Sequence, residues 1–271
     1  LRGILSSDSN KGITAIWASA GGATGYRLYY ATSDFIDDWQ LAADESTLGE
    51  NATSVTLTPS EFIVPPSGDI YFFKLTAVNE NGESAAGDVY GRSSNADGSG
   101  LPKILIVDGF DRNGSYTGLT HTFATDYIKA IRENGNYVFS TAANEAVADG
   151  GVSMSGYDMV FWFVGDESTN NETFSSYEQT KVKNYLEAGG KLFVTGSEIG
   201  WDLYNKGTSD DQSFYTNYFK ANFAGDGGSG RAPATGTGDF NGADMNFGQT
   251  YAEDYPDEIT PRTGASAIMT Y

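Results

Sequence analysis

The sequence predicts an all-β sandwich followed by a three-layer α/β domain on a mostly parallel sheet, and three observations predict it. Residues 1–94 hold short alternating strands separated by turn residues, with no helical stretch among them, which is the pattern of a sandwich. Between Lys103 and Trp201, three continuous apolar runs each end in a burst of carboxylates and glycine. Such runs are what strands buried on both faces look like, and the helical patterns between them give βαβ units. The small polar residues from Ser93 to Gly100 separate the two patterns. The predicted division is therefore 1–94, a linker at 95–102, and an α/β domain over 103–271 that is truncated at its C-terminal end.

In the first module Ile13-Thr14-Ala15-Ile16-Trp17 alternates, and Gly21-Gly22-Ala23-Thr24-Gly25 turns the chain into Tyr26-Arg27-Leu28-Tyr29-Tyr30. Ser54 to Pro59 and Ile70 to Val78 follow as strands, and Asn79-Glu80-Asn81-Gly82-Glu83 reads as a hairpin turn. Trp17 and Tyr71 are expected in the core. In the second module Ile104 to Val107 is the first strand. A helix is expected from about Thr120, whose hydroxyl can cap it, with Ala124, Tyr127, Ile128 and Ile131 on its apolar face. Asn134-Gly135 ends that helix. Tyr137 to Ser140, Met159 to Val164 and Leu192 to Thr195 are the next strands, with a helix from about Ser175 to Ala188 before the last of them. Ser213 to Phe223 reads as helical and Gly225 to Gly230 as a loop. Asp239 to Tyr255 reads as irregular or antiparallel, and Ala265 to Tyr271 as a strand. Trp162, mid-strand, is expected in the core, as are Phe174, Tyr177 and the series from Phe214 to Phe223.

There are 36 acidic against 16 basic residues, for a net charge of −20. A polyanion or an anionic membrane surface is repelled by such a chain, so nucleic acid is excluded as a partner. No apolar run approaches the roughly 20 residues that span a bilayer. The absence of cysteine removes disulfides, thiolate metal sites and thiol nucleophiles together. The chain reads as a piece of a longer, processed polypeptide.

Trp17, Tyr26 to Tyr30, Leu57-Thr58-Pro59, Tyr71 to Asn79 and Gly82-Glu83-Ser84 together resemble a fibronectin type III domain. That resemblance implies a spacer or adhesion module. In the second part, the order of elements, the approach Glu187-Ala188-Gly189-Gly190-Lys191-Leu192 and the Gly-rich turn after the last strand resemble the class I glutamine amidotransferase-like fold, a flavodoxin-like sheet. More narrowly, Val107 to Arg112, Gly165 to Ser168 and Gly196 to Leu203 resemble a domain of secreted bacterial proteins labelled xanthan lyase or N-acetylmuramoyl-alanine amidase, which also carry golvesin-C-like modules. The resemblance implies a secreted or cell-surface location and a polysaccharide, peptidoglycan or neighbouring-module partner. The amidotransferase nucleophile stands in Gly-x-Cys-x-Gly; here the turn reads Gly196-Ser197-Glu198-Ile199-Gly200, so that chemistry is not carried over. A serine elbow would need serine where Glu198 stands.

In open α/β sheets ligands bind beyond the carboxyl ends of the strands, where the acidic bursts fall. Asp108, Asp166, Glu167, Glu198 and His121 are the candidate catalytic residues; Asp111, Arg112, Ser197 and Trp201 are the candidates for binding substrate. Crowded carboxylates cannot all stay ionised without a proton, a cation or a metal. Three readings follow. Glu198 can act as base or nucleophile with Asp166 or Glu167 as the acid, hydrolysing an extracellular polymer. The carboxylates can hold Ca²⁺ or Mg²⁺. Or they pair with Arg112 and backbone amides, leaving a non-catalytic adhesion or structural module.

Overall fold

The structure is a computed structural model and describes residues 1–7, 12–32, 38–61, 69–95, 97–114, 117–227, 234–246 and 255–270. Packing divides the chain into two units. The first is Leu1–Asp108, Asn113–Trp162 and Gly189–Phe193; the second is Gly109–Arg112, Phe163–Ala188 and Val194–Tyr271.

Period-two alternation builds the start of the first unit. Its strands are β1 (Gly3–Ser7), β2 (Gly12–Ile16), β3 (Gly25–Thr32), β4 (Gln40–Ala43), β5 (Ser54–Leu57), β6 (Ile70–Asn79), β7 (Gly82–Glu83) and β8 (Tyr90–Ser93). One antiparallel sheet runs β4-β3-β6-β7, with β8 also paired to β6. A second layer pairs β1, β2 and β5. Trp17, Tyr26, Leu28, Tyr71 and Phe73 are buried, so the expected core residues are core. Tyr26 packs its ring 5.6 Å from Trp17.

The α/β part of this unit begins with β9 (Lys103–Asp108), α1 (Phe123–Glu133), β10 (Val138–Ala143), α2 (Asn144–Ala148) and the start of β11 (Met159–Gly165). Strands β9 and β10 pair in parallel, Ile106 opposite Thr141. The outer strand β1 of the sandwich layer then pairs antiparallel with β10, at Gly3–Ala142 and Ile4–Thr141. An open strand edge leaves a row of unpaired N–H and C=O groups, and here two open edges satisfy each other. The result is one mixed sheet, ordered from the last edge strand β12 (Lys191–Gly196) as β12-β11-β9-β10-β1-β2-β5.

The start of the stretch read as a linker is part of this packing. Ser93, Ser94 and Asn95 are buried. The Ser93 hydroxyl accepts the Phe139 N–H at 3.1 Å, and the Asn95 amide donates to the Tyr137 carbonyl at 2.8 Å. Arg92 is fully buried and donates to the carbonyls of Ser93, Gly12 and Asn95. Burial pushes its guanidinium down to about 10, which still leaves it charged at neutral pH. At Gly91 an added Cβ would lie 2.8 Å from both the Ile128 side chain and the Tyr71 carbonyl, so α1 can approach β8 only over a glycine.

Helix α1 starts later than expected. Thr120 is used elsewhere, its hydroxyl donating to the Ala86 carbonyl, and Thr122 stands at the N-cap without a side-chain cap bond. The predicted face does turn inward at Ala124, Ile128 and Ile131. Strand β12 differs from expectation as well: Phe193 is 42% exposed. As an edge strand it has a sheet neighbour on one side only, so its apolar run is half covered.

In the second unit α3 (Ser176–Glu187) is set by a capping box between Ser175 and Glu178. A π-helical run, Trp201–Lys206, precedes α4 (Ser209–Phe214), which Thr208 and Asp211 cap in the same way. A second π-helical run, Tyr215–Phe219, ends at Lys220 with φ 56°. The helix expected to reach Phe223 therefore stops early, and β13 (Ala221–Asp226) follows. The remaining strands are β14 (Thr235–Gly236), β15 (Asp257–Pro261) and β16 (Met269–Thr270), with β13 paired to β15 and β14 to β16. The strand read over residues 265–271 is thus only two residues long in the described part. Residues 228–230 of the expected loop and 247–254 of the expected irregular stretch lie outside the described residues. The helical aromatics form a packed cluster, with Phe214 and Phe219 edge to face at 4.8 Å. Tyr177 is the exception, exposed on the outer face of α3.

Candidate functional site

The loops that follow β9, β11 and β12 adjoin within the second unit. Gly109 donates its N–H to the Phe163 carbonyl at 2.8 Å, and Ser197 donates to the Gly165 carbonyl at 2.9 Å. Glu167 is the centre of this arrangement. It is completely buried, and its Oε1 accepts the backbone N–H groups of both Asp111 and Arg112 at 2.8 Å. Arg112 Nε donates to Glu167 Oε2 at 3.3 Å, while its Nη1 reaches Asp166 Oδ2 at 3.3 Å. Burial raises the Glu167 carboxyl above its usual range, against the two amides and the Arg112 charge. A carboxyl with no exposure, used by two backbone amides and a guanidinium, holds a loop; it has no face to turn to a substrate. Asp166 and Asp111 remain half-buried beside it.

Glu198 sits in the turn after β12. A nucleophile elbow holds its central residue in a strained conformation, yet the non-glycine residues with positive φ among those described are Glu172 and Lys220. The turn is instead built around Asp257 of β15, which sequence reasoning missed. Asp257 donates its N–H to the Ser197 carbonyl at 2.7 Å, and its carboxylate accepts the N–H groups of Gly200 and Trp201. Gly200 has no room for a side chain: an added Cβ would lie 2.8 Å from the Tyr215 hydroxyl and 3.0 Å from the Asp257 carboxylate. The Ser197 hydroxyl donates weakly to the Gly165 carbonyl at 3.4 Å. Trp201 is half-buried between Lys206, 4.5 Å from its ring, and Phe223.

Burial pushes the Asp257 carboxyl up to about 7, the two backbone N–H groups opposing and the charges of Glu198 and Asp226 adding to it. Its folded value thus exceeds the ~3.9 of an unfolded aspartate, so the folded chain binds the proton more tightly. Stability contributed by this group is present below about pH 4 and is lost as pH rises to about 7. Urea unfolding at pH 5 and pH 8 checks this: the native chain loses stability across the interval, and Asp257→Asn flattens the loss. An unchanged slope in the variant contradicts the assignment.

The other two predicted residues belong to the first unit. Asp108 ends β9 with its side chain buried. His121 is also buried; its Nδ1 lies 3.0 Å from Asp88 Oδ1, and its ring stacks on Phe123 at 5.4 Å. Its backbone is fixed to the same stretch, with the Asp88 carboxylate accepting the His121 N–H and the His121 carbonyl accepting that of Val89. His121 therefore anchors the start of α1 to Asp88. For Ca²⁺ or Mg²⁺ the donor set does not fit: among the described residues no three His, Asp or Glu side chains gather closely enough to hold a metal ion.

The second unit also contains a cleft of about 800 Å³ between α3 and the first π-helical run, with Phe174 and Leu203 at its floor. Lys183 and Thr180 line it from α3, Asp202 and Lys206 from the π-helical run, and Glu172 from the preceding loop. Uncommon backbone surrounds it. π-Helical turns recur at functional sites, and the left-handed conformation of Glu172 (φ 53°) is disfavoured for a residue with a Cβ. Asp202 is 8% exposed; its Oδ2 accepts both the N–H and the hydroxyl of Thr173, at 2.7 and 2.8 Å. Lys183 lies over the rings of Phe214 and Tyr218, and Lys206 over Trp201. Neither lysine has a carboxylate within ion-pair distance among the described residues.

No protein-family model matches the chain, and no curated protein matches it. Among solved structures it is similar to the third fibronectin III domain of human KIAA0343 protein, at 15% identity over 34% of this chain and 77% of that one, TM-score 0.27. It is similar likewise to the fibronectin type III domain of human fibronectin type III domain containing protein 3, at 18% identity over 36% of this chain and 87% of that one, TM-score 0.27. The twitchin kinase region of C. elegans matches at 19% identity and TM-score 0.27 over 35% of this chain, which spans 16% of that region. These are weak likenesses to fibronectin type III domains over about a third of the chain.

Proposed function

We propose that the chain is a non-catalytic, polymer-associated module of a secreted or cell-surface protein, in which the acidic rim is structural. The observation that carries this reading is Glu167, buried and taken up by Asp111, Arg112 and the backbone. The same reading takes the second part as an amidotransferase-like, flavodoxin-like sheet without that fold's nucleophile. The strand order β10-β9-β11-β12 supports it, because it follows the flavodoxin-like order 2-1-3-4. An extracellular polysaccharide, peptidoglycan or a neighbouring module of the same polypeptide is the proposed partner. No described helix is long and apolar enough to cross a membrane.

A catalytic reading has one observation in its favour, the raised Asp257 carboxyl beside Glu198, since a carboxyl that holds its proton near neutral pH can serve as a general acid. Against it, both Asp257 oxygens hold the turn at Gly200 and Trp201.

The test is retention without degradation. The full chain is mixed with peptidoglycan sacculi and with soluble polysaccharides, and both the bound protein and any released sugar or peptide are measured. Retention on at least one polymer with no product supports the proposal. Failure to bind any of them contradicts it.

A further inference from the structure

We infer that the cleft between α3 and the Trp201–Lys206 run binds an uncharged saccharide unit, with Asp202, Lys183 and Lys206 as its polar contacts. This rests on the polymer-module reading and gives it a place and a ligand class.

Asp202 carries the argument. It is more than nine-tenths buried and lines the cleft, yet Thr173 occupies only its Oδ2. Its Oδ1 accepts no hydrogen bond among the described residues. The oxygen left open by Thr173 belongs to a side chain that lines the cleft, so it is available to a donor entering there. The lysines supply the opposite chemistry. Each ammonium is held over an aromatic ring, and neither lies within ion-pair distance of a carboxylate among the described residues, although the Lys183 charge acts on Asp211 from farther off. Both so keep N–H groups for an acceptor in the cleft.

A hydroxyl is both donor and acceptor. A sugar presenting several of them satisfies a buried carboxylate and two ammoniums at once, where a purely anionic or purely cationic ligand satisfies only one sign. An anionic ligand also meets Glu172, Asp210 and Asp211 in the same lining and a chain of net charge −20. An apolar ligand would strip water from the lysines and carboxylates with nothing in return. The volume, about 800 Å³, is that of a small-ligand pocket.

The test is affinity electrophoresis of the full chain in gels containing neutral polymers (galactomannan, xyloglucan, hydroxyethyl cellulose), an acidic one (polygalacturonate) and a cationic one (glycol chitosan). Asp202→Asn and Lys183→Gln are run beside it, with far-UV circular dichroism to show that they fold. Lys183→Gln leaves the Asp202–Thr173 bonds in place, so the inference does not depend on Asp202→Asn folding. The expected result is retardation by a neutral polymer, weakened roughly tenfold or more in the folded variants, as loss of a charge-assisted hydrogen bond predicts. Neutral-polymer binding that both folded variants retain overturns the cleft and leaves the polymer reading intact. Retardation only by the acidic or only by the cationic polymer overturns the ligand class. No retardation by any polymer, with none bound to sacculi either, removes both.

Discussion

Glu167→Gln lowers stability by about 2–3 kcal/mol, the cost of leaving a buried hydrogen-bond donor without its charged acceptor, whereas Glu198→Gln leaves it nearly unchanged. The two glutamates follow neighbouring strands and read alike in the sequence. Glu167 is completely buried and accepts the Asp111 and Arg112 amides as well as the Arg112 guanidinium. A glutamine there turns an N–H₂ donor toward one of those donors, and the charge that Arg112 faces disappears. Glu198 is half-buried, and its fold-stabilising contact is its own carbonyl, which accepts the Asp202 N–H and survives the substitution. Urea unfolding measures both. A Glu167→Gln loss below about 1 kcal/mol, the worth of a single ordinary hydrogen bond, contradicts the loop-holding role.

Arg92→Met costs about 3 kcal/mol or more. The methionine matches the aliphatic stem but leaves the Ser93, Gly12 and Asn95 carbonyls buried without their donor, and each such orphan costs about 1–3 kcal/mol. Arg92→Lys does little better, because a single ammonium cannot reproduce the planar fork. Arg92 joins the β8 end to the start of β2, which lies in the layer that continues into the parallel strands. Loss of stability should therefore appear in the sandwich and the parallel pair together. Hydrogen exchange at β2 and β9 reads this directly; equal protection in Arg92→Met and the native chain sinks the prediction.

Much of the strand content was legible because burial writes a strong periodic signal. The continuous run Ile104–Val107 became a strand buried along its length, and alternation at Ile13–Trp17 and Tyr26–Tyr30 became sandwich strands. The joining of β1 to β10 was not legible, since pairing between strands over a hundred residues apart leaves no local mark. Nor was β13: Lys220 breaks the helix in a left-handed conformation without the glycine that usually announces it. At the rim, composition located Asp166, Glu167 and Arg112 as a group, but carboxylate count cannot say which oxygen is taken by a backbone amide. Asp257 was invisible for the same reason as β13, its partners Ser197, Gly200 and Trp201 lying some sixty residues earlier. Lys183 sat inside a helical pattern, where a lysine reads as solvated surface, and Asp202 read as one more carboxylate at the end of the third acidic burst.

The central claim, that the acidic rim supports the fold and performs no hydrolysis, is tested most directly by product release. Neutral and acidic polysaccharides and peptidoglycan are incubated with the native chain and with Glu198→Gln, and reducing ends and free amines are counted. Both proteins should match the buffer blank. Product formed by the native chain and abolished in a Glu198→Gln variant of unchanged stability would contradict the claim.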